Sequence, residues 1–402
     1  MSLQSSSSHS DSSYLFSTSE PLSADHDVLL LDLDGTTYLG KIAAPNAPEA
    51  LATAKSYGAR TMYLTNNSGR APEVVAAQLN ELGIPTLARD VLNSSQVAVI
   101  VAEQLLPAGA PVLLVGAEGL RDAFEQSSLT VVQRAEDHPQ AVIQGLNEQA
   151  TWSDLSEAVL AISKWKCVHI ATNMDATIPK ERGLMIGNGS FVACVQHATG
   201  SEPISCGKPE PLMFNVAVER TAARRPLAVG DRLNTDVAGA NAAGIPCFHV
   251  LTGVASAGDI LLAKPTERPR FLGVDLRDLN AIHPPVLPDP PADTDAHTWQ
   301  CNGWLATVEN GQLVITNPHA AAHISIPLVL PASEPVSTAA PSLTLDGAGS
   351  AAVNKGANSA VKIPLNAYRA AACAMWAAAD SGSISAQNVH LPELVVTREA
   401  GE

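Results

Sequence analysis

The sequence predicts an α/β protein built on a parallel sheet, followed by a smaller C-terminal α+β domain. Three observations carry this reading. Short apolar runs without alternation recur between residues 28 and 251, the pattern of strands buried on both faces. Helical stretches separate those runs. Near Pro284 the composition changes, and the residues beyond it read as a hairpin and one alanine-rich helix.

The first apolar run, 28–31, stops at Asp32. Residues 48–57 are helical in pattern and end before Gly58; residues 61–64 form a second buried run that ends in Thr65-Asn66-Asn67. In an open parallel sheet the ligand site lies beyond the carboxyl ends of the strands, so these two polar clusters are expected to be neighbours. Runs 112–115, 141–143 and 168–171 repeat the strand pattern, with helices 120–125 and 155–164 among them. Residues 227–229 lead into Gly230-Asp231, and 246–251 form one more strand. Helix 236–243, closed by Gly244, lies between those two.

Residues 284–297 are crowded with Pro284, Pro285, Pro288, Pro290 and Pro291, which is linker chemistry, and they set off a C-terminal domain at 298–402. In that domain Trp304, Ala306 and Val308 alternate with their neighbours, Asn310-Gly311 supplies a turn, and 313–315 return; residues 367–379 read as a helix. At the other end, residues 1–24 are rich in serine and lack the basic start and apolar core of a secretory signal, so they read as a disordered tail.

Length and charge narrow the function. A chain of 402 residues predicts two or three domains at about 100–200 residues each. Lys plus Arg number 24 against 40 for Asp plus Glu, a formal charge of −16, which repels phosphate backbones and anionic lipid. Nucleic acid and membrane are therefore not expected partners, while a local basic pocket for a small anion is allowed. The six cysteines form no CxxC pair and read as reduced thiols in a cytoplasmic protein. The longest apolar stretch, 97–115, is broken by Glu103, Gln104 and Pro107 and cannot span a bilayer.

Four clusters carry chemistry. Asp32-Leu33-Asp34-Gly35-Thr36 sets two carboxylates two residues apart at a strand end. Alone, Asp-Gly reads as a turn; as a pair, one carboxylate can attack phosphorus while the other handles the proton of the leaving group. Thr65-Asn66-Asn67-Ser68-Gly69 can hold phosphate through a hydroxyl and turn N–H groups, or cap a helix before Pro72. Gly207-Lys208-Pro209-Glu210-Pro211 places a lysine in a stiffened backbone, where a lone example is usually solvated surface. Gly230-Asp231-Arg232-Leu233-Asn234-Thr235-Asp236 again closes a buried strand, with an Asp-rich turn and an N-cap at Asp236 as its plain reading.

In order and spacing these four clusters resemble the haloacid dehalogenase superfamily of phosphohydrolases. The stretch between Asn67 and Lys208 resembles the large inserted cap of its NagD-like branch, and Ala171-Thr172-Asn173-Met174-Asp175 is similar to that branch's ATNxD segment. The resemblance covers residues 25–265. It implies a Rossmann-like parallel-sheet core (25–97 and 200–283) with an inserted α/β cap domain (98–199). It also implies a magnesium-dependent phosphatase that hydrolyses a small phosphorylated metabolite through an aspartyl phosphate. Carried over by position, Asp32 is the nucleophile and Asp34 the general acid and base, while Lys208 offsets charge. Thr65, Asn66 and Asn67 orient the phosphoryl group. Mg²⁺ is held by Asp32, the carbonyl of Asp34 and Asp231, with Asp236 behind them.

In the cap, Asn173 and Asp175 are the expected contacts to the leaving group, ahead of a segment containing Lys180, Glu181, Arg182 and Gly187-Asn188-Gly189-Ser190. His197 reads more simply as surface or satisfied core. Caps of this branch pair into dimers, which implies a homodimer here. The tail is similar to that of actinobacterial glycerol 3-phosphate phosphatases with an acetyltransferase-like extension, and this favours glycerol 3-phosphate. Asp346-Gly347-Ala348-Gly349 lacks the basic or amide residue that a coenzyme A pyrophosphate loop needs, so acetyl transfer is not expected. The alternatives are 2-phosphoglycolate, pyridoxal phosphate or nucleoside monophosphate hydrolysis, a phosphotransferase or mutase using the same aspartyl phosphate, and a non-catalytic binding module.

Overall fold

A computed structural model describes residues 13–180, 182–289, 297–328 and 360–399. Of these, 18–254 with 266–283 form one compact unit, and 13–17, 255–265 and the residues from 284 onward form the other.

The first unit holds two parallel sheets. One has six strands in the order Phe271–Gly273, Cys247–Val250, Pro226–Gly230, Val28–Asp32, Arg60–Thr65, Val91–Asn93. Leu29, Leu30 and Leu31 are all buried, which is why the run shows no alternation. The register is what assembles the site. Leu31 pairs with Val229 on one side and Asp32 with Leu64 on the other, so Asp32, Thr65 and Asp231 leave the sheet at the same edge. The second sheet is the inserted α/β segment, ordered Ile204–Ser205, Val168–Ala171, Ala141–Gln144, Pro111–Val115, Thr130–Val132. Ile204–Ser205 thus pairs beyond the boundary expected at residue 200. One apolar cluster joins Val28, Leu30, Met62 and Leu64 of the first sheet to Val112, Leu114, Ile143 and Ile170 of the second.

The predicted long elements are present within a few residues, among them helices Ala47–Ser56, Glu118–Glu125 and Trp152–Trp165. Helix 236–243 differs. Leu233–Val237 is a π-helical turn and only Ala238–Ala242 is α-helical, because Asp236 is drawn into the protein instead of capping. Strands of two or three residues such as Val91–Asn93, Ile204–Ser205 and Phe271–Gly273 carry no pattern of their own and are fixed by their neighbours.

The second unit contains the antiparallel sheet Val286–Pro288, His297–Cys301, Trp304–Glu309, Gln312–Asn317, Ala322–Pro327. Its central turn is the predicted one, with Asn310 at φ 49° and Gly311 at φ 70°. Val286–Pro288 corrects the linker reading: proline is tolerated there because the strand lies at the sheet edge. Residues 290–296, the rest of that linker, and Asp346–Gly349 lie outside the described residues. Helix Leu365–Asp380 is buried along most of its length, and its Tyr368 hydroxyl and Trp376 indole donate to the carbonyls of Ala257 and Ile260. Those aromatic anchors bring 255–265 into this unit.

The disordered-tail reading is corrected for residues 13–24. Leu15, Leu22 and Ser23 are buried, the Ser13 hydroxyl donates to the Val286 carbonyl and Ser23 to Asn280 Oδ1. Buried leucines and these hydrogen bonds anchor the segment. Residues 1–12 lie outside the described residues. Among the described residues no helix is long and apolar enough to cross a membrane.

His169 in strand Val168–Ala171 sits between Gln144 Oε1 at 2.6 Å and Ser201 Oγ at 2.9 Å, and burial pushes its pKa down from 6.5 to about 4. The unfolded chain takes up the proton first as pH falls. The neutral ring therefore stabilises fully above 6.5, and that contribution, about 3 kcal/mol at most, is lost towards pH 4. His169→Gln should flatten the fall of Tm between pH 6.5 and 4.5; an unchanged slope in thermal denaturation would assign the acid sensitivity elsewhere.

Candidate active site

Asp32 ends its strand with its carbonyl accepting from the Thr37 hydroxyl at 2.7 Å, which starts a tight turn. Gly35 lies in that turn at φ +94°, against the Asp231 carboxylate, where a Cβ has no room. Asp231 leaves the neighbouring strand. Its Oδ1 accepts from Thr36 Oγ1 at 3.0 Å, its Oδ2 from the Val254 N–H at 2.6 Å, and its carbonyl from His249 Nε2 at 2.9 Å.

Lys208 is buried, at 3% exposure, so the solvated-surface reading fails. Its ammonium reaches Asp32 Oδ1 at 2.5 Å, Asp236 Oδ1 at 2.6 Å and the Leu64 carbonyl at 3.3 Å. Asp236 in turn accepts from the Arg232 N–H at 3.1 Å through Oδ2. The flanking carboxylates hold the Lys208 pKa above its ordinary value against the opposing effect of burial. Burial pushes Asp32 up to about 8 and Asp231 up to about 6, and the charge of Asp236 adds to both.

Three carboxylates face one ammonium here, leaving a deficit of two positive charges. One oxygen from each of Asp32, Asp231 and Asp236 lies within 4.8 Å of the others. An all-oxygen donor set with more carboxylates than cations fits a hard divalent cation. Asp34 is exposed at the mouth, where its Oδ1 faces the Gly40 N–H at 3.4 Å.

The loop after Arg60–Thr65 is shaped by its own side chains. Thr65 Oγ1 accepts from the Asn67 N–H at 3.1 Å and Asn67 Oδ1 from the Gly69 N–H at 3.0 Å. Ser94 and Ser95, at the start of helix Ser94–Leu105, donate to the carbonyls of Asn66 and Ser68. Asn66 holds backbone as well as lining the cavity. Its Oδ1 accepts from the Lys208 N–H at 2.8 Å, and its Nδ2 donates to the Lys208 carbonyl at 2.9 Å and Asp175 Oδ2 at 3.1 Å. The side chain clamps the lysine's backbone.

Asn173, expected at the leaving group, is also engaged by backbone. Its Nδ2 donates to the Asn66 carbonyl at 2.8 Å and its Oδ1 accepts from the Asp175 N–H at 3.2 Å, so both ends of the amide are engaged by backbone. Asp175 is raised above its ordinary value by burial, opposed by the Asn66 hydrogen bond and Arg232. Asp32, Asp34, Thr65, Asn66, Asn67, Asn173, Asp175, Lys208 and Arg232 all line one cavity of about 1220 Å³. Asp231 and Asp236 lie beneath it. His197 is exposed on helix Asn188–Thr199 and is not among the lining residues, and Glu181 lies outside the described residues. Residues that sequence reasoning missed are Thr36, Ser94, Ser95, His249 and Val254. Only Asn93-Ser94, placed three residues before Gln96, carried a helix-start signal.

Fold and site together define an α/β protein whose carboxylates gather at the carboxyl edge of a parallel sheet. The model of the haloacid dehalogenase-like hydrolases matches residues 29–130, and a related HAD-hydrolase-like model matches 205–279. D-glycerol 3-phosphate phosphatase of Mycobacterium tuberculosis is 46% identical over 260 residues, 64% of this chain and 72% of that protein. Acid sugar phosphatase of Staphylococcus saprophyticus is 34% identical over 63% of this chain and 97% of its own length. Among solved structures, the M. tuberculosis glycerol phosphate phosphatase in complex with magnesium aligns with TM-score 0.67 at 40% identity, over 74% of this chain and 87% of that one. A 4-nitrophenylphosphatase of Thermotoga maritima aligns with TM-score 0.60 at 29% identity, over 64% and 98%. The chain belongs to the haloacid dehalogenase-like hydrolases.

Because Asn173 ties backbone to backbone, Asn173→Ala should lower kcat/KM for every substrate alike, by about 100-fold if Lys208 shifts by about 1 Å. Selective loss on one substrate, measured against 4-nitrophenyl phosphate, would return Asn173 to the leaving group.

Proposed function

We propose that the protein is a magnesium-dependent phosphatase of small phosphorylated metabolites, with glycerol 3-phosphate as its substrate. The observation that carries the chemistry is the Lys208 ammonium buried between Asp32 and Asp236 at the floor of an open cavity. The substrate assignment is supported by the M. tuberculosis relative, named for glycerol 3-phosphate, and by that relative's magnesium complex. The presence of acid sugar and nitrophenyl phosphatases among the other relatives supports the broader class of phosphomonoesters.

In this reading Asp32, the Asp34 carbonyl and Asp231 hold Mg²⁺. The cation neutralises charge so that a dianionic substrate can approach a carboxylate. Lys208 fixes the orientation of Asp32 and offsets the remaining charge, while Thr65 and the N–H groups after it receive phosphoryl oxygens. Asp32 attacks phosphorus as the bond to the leaving oxygen breaks, and Asp34 gives that oxygen a proton. Asp34 then takes a proton from water, which attacks the aspartyl phosphate and frees Asp32 and inorganic phosphate. Residues 98–199 act as a cap over this site.

Asp32→Asn should abolish magnesium-dependent hydrolysis of 4-nitrophenyl phosphate while the fold survives, since the amide is nearly isosteric but a poor nucleophile. Retained turnover in purified protein would remove Asp32 from that role. Asp34→Asn should harm alkyl phosphates more than aryl phosphates, whose leaving groups need no proton; equal losses would argue against proton transfer. A comparison of kcat/KM across glycerol 3-phosphate, 2-phosphoglycolate, pyridoxal phosphate and a nucleoside monophosphate tests the substrate.

A further inference from the structure

A cavity of about 1220 Å³ is far larger than a phosphoryl group needs, and Arg232 is among the cations in its wall that have no task in the chemistry described above. Arg232 follows Asp231 directly, and its N–H is held on Asp236 Oδ2 at 3.1 Å, so its position is set by the catalytic floor. The side chain lines the cavity. Its Nε is buried without an acceptor, and among the described residues its guanidinium makes no hydrogen bond or ion pair. A buried N–H of a permanently charged group is costly when unpaired, and such a group in a cavity wall points to a ligand that completes it.

Asp175 supplies the opposite charge. It enters the cavity from the second sheet, after strand Val168–Ala171, and is fixed through Oδ2 by Asn66 and through its N–H by Asn173. Arg232 is the foremost cation acting on its carboxylate, ahead of Lys208, although no hydrogen bond or ion pair joins the two. A donor and an acceptor of opposite charge thus share the cavity with space between them.

We propose that Arg232 and Asp175 read the leaving group as a pair and select a neutral, hydroxyl-bearing one. A hydroxyl both donates and accepts, so an alkyl group with adjacent hydroxyls can accept from the guanidinium and donate to the carboxylate at once. A carboxylate-bearing leaving group meets Asp175 with like charge, and an aryl group leaves both partners unsatisfied. The inference rests on the phosphatase reading and assigns to Arg232 and Asp175 the preference for a polyol monophosphate within it.

The test measures kcat/KM of the full-length protein with Mg²⁺ on glycerol 3-phosphate, 2-phosphoglycolate and 4-nitrophenyl phosphate. Wild type, Arg232→Gln, Arg232→Lys and Asp175→Asn are compared, with Tm recorded for each. Wild type should favour glycerol 3-phosphate over 2-phosphoglycolate. Arg232→Gln should lower the ratio of glycerol 3-phosphate to 4-nitrophenyl phosphate by about tenfold or more, and Arg232→Lys should restore part of it. Asp175→Asn should shift the balance towards 2-phosphoglycolate by about tenfold. Equal loss on all three substrates in Arg232→Gln would place the guanidinium on the phosphoryl group and overturn the proposal, as would unchanged ratios or a wild type that favours 2-phosphoglycolate. Folded wild type that hydrolyses none of the three would instead overturn the phosphatase reading itself.

Discussion

The site depends on one buried cation. Lys208 is held within hydrogen-bonding distance of two carboxylates and a strand carbonyl, and without it Asp32 and Asp236 would face each other as like charges in a dry setting. An ammonium so deeply buried serves two carboxylates only if the backbone that carries it is fixed. Asn66 does this by bonding both the N–H and the carbonyl of Lys208. Close approach at that point requires a residue without a side chain before the lysine: a Cβ on Gly207 would lie 2.7 Å from Asn66 Oδ1 and 2.8 Å from the Thr172 carbonyl.

The same amide links the catalytic floor to the second sheet. Asn66 reaches Asp175, Asn173 returns to the Asn66 carbonyl, and Asn188 donates to the Asn173 carbonyl at 2.8 Å. The polar residues at the end of strand Val168–Ala171 are therefore divided in purpose. Asn173 ties one segment to another, while Asp175 keeps a carboxylate in the cavity beside Arg232. Two residues of one loop segment, with only Met174 between them, thus have different surroundings.

Legibility in the sequence followed the kind of signal each residue left. That Asp32, Asp34, Thr65 and Asp231 collect at one edge was readable because each stands at or just beyond a strand end, and the register Asp32↔Leu64 and Leu31↔Val229 brings those ends together. The hairpin turn at Asn310-Gly311 was readable because both positions take positive φ, which those residue types accept. The roles of Asn66 and Asn173 were not, since an asparagine that binds ligand and one that binds backbone look alike in a sequence. Leu15 and Leu22 were lost for a related reason: isolated apolar residues among serines signal burial only once a partner surface exists.

By itself the sequence determined the alternation of buried strands and helices, and with it the parallel sheet and the edge where polar residues collect. Those are properties of local pattern, and burial on two faces leaves the same mark wherever it occurs. Tertiary structure alone decided that Lys208 is buried instead of solvated, that Asp236 turns inward through a π-helical turn instead of capping a helix, and that Arg232 Nε is left in the cavity wall without an acceptor among the described residues. Each of these is set by which donors and acceptors lie within about 3 Å once distant segments meet, and that proximity has no trace in the spacing of residues along the chain.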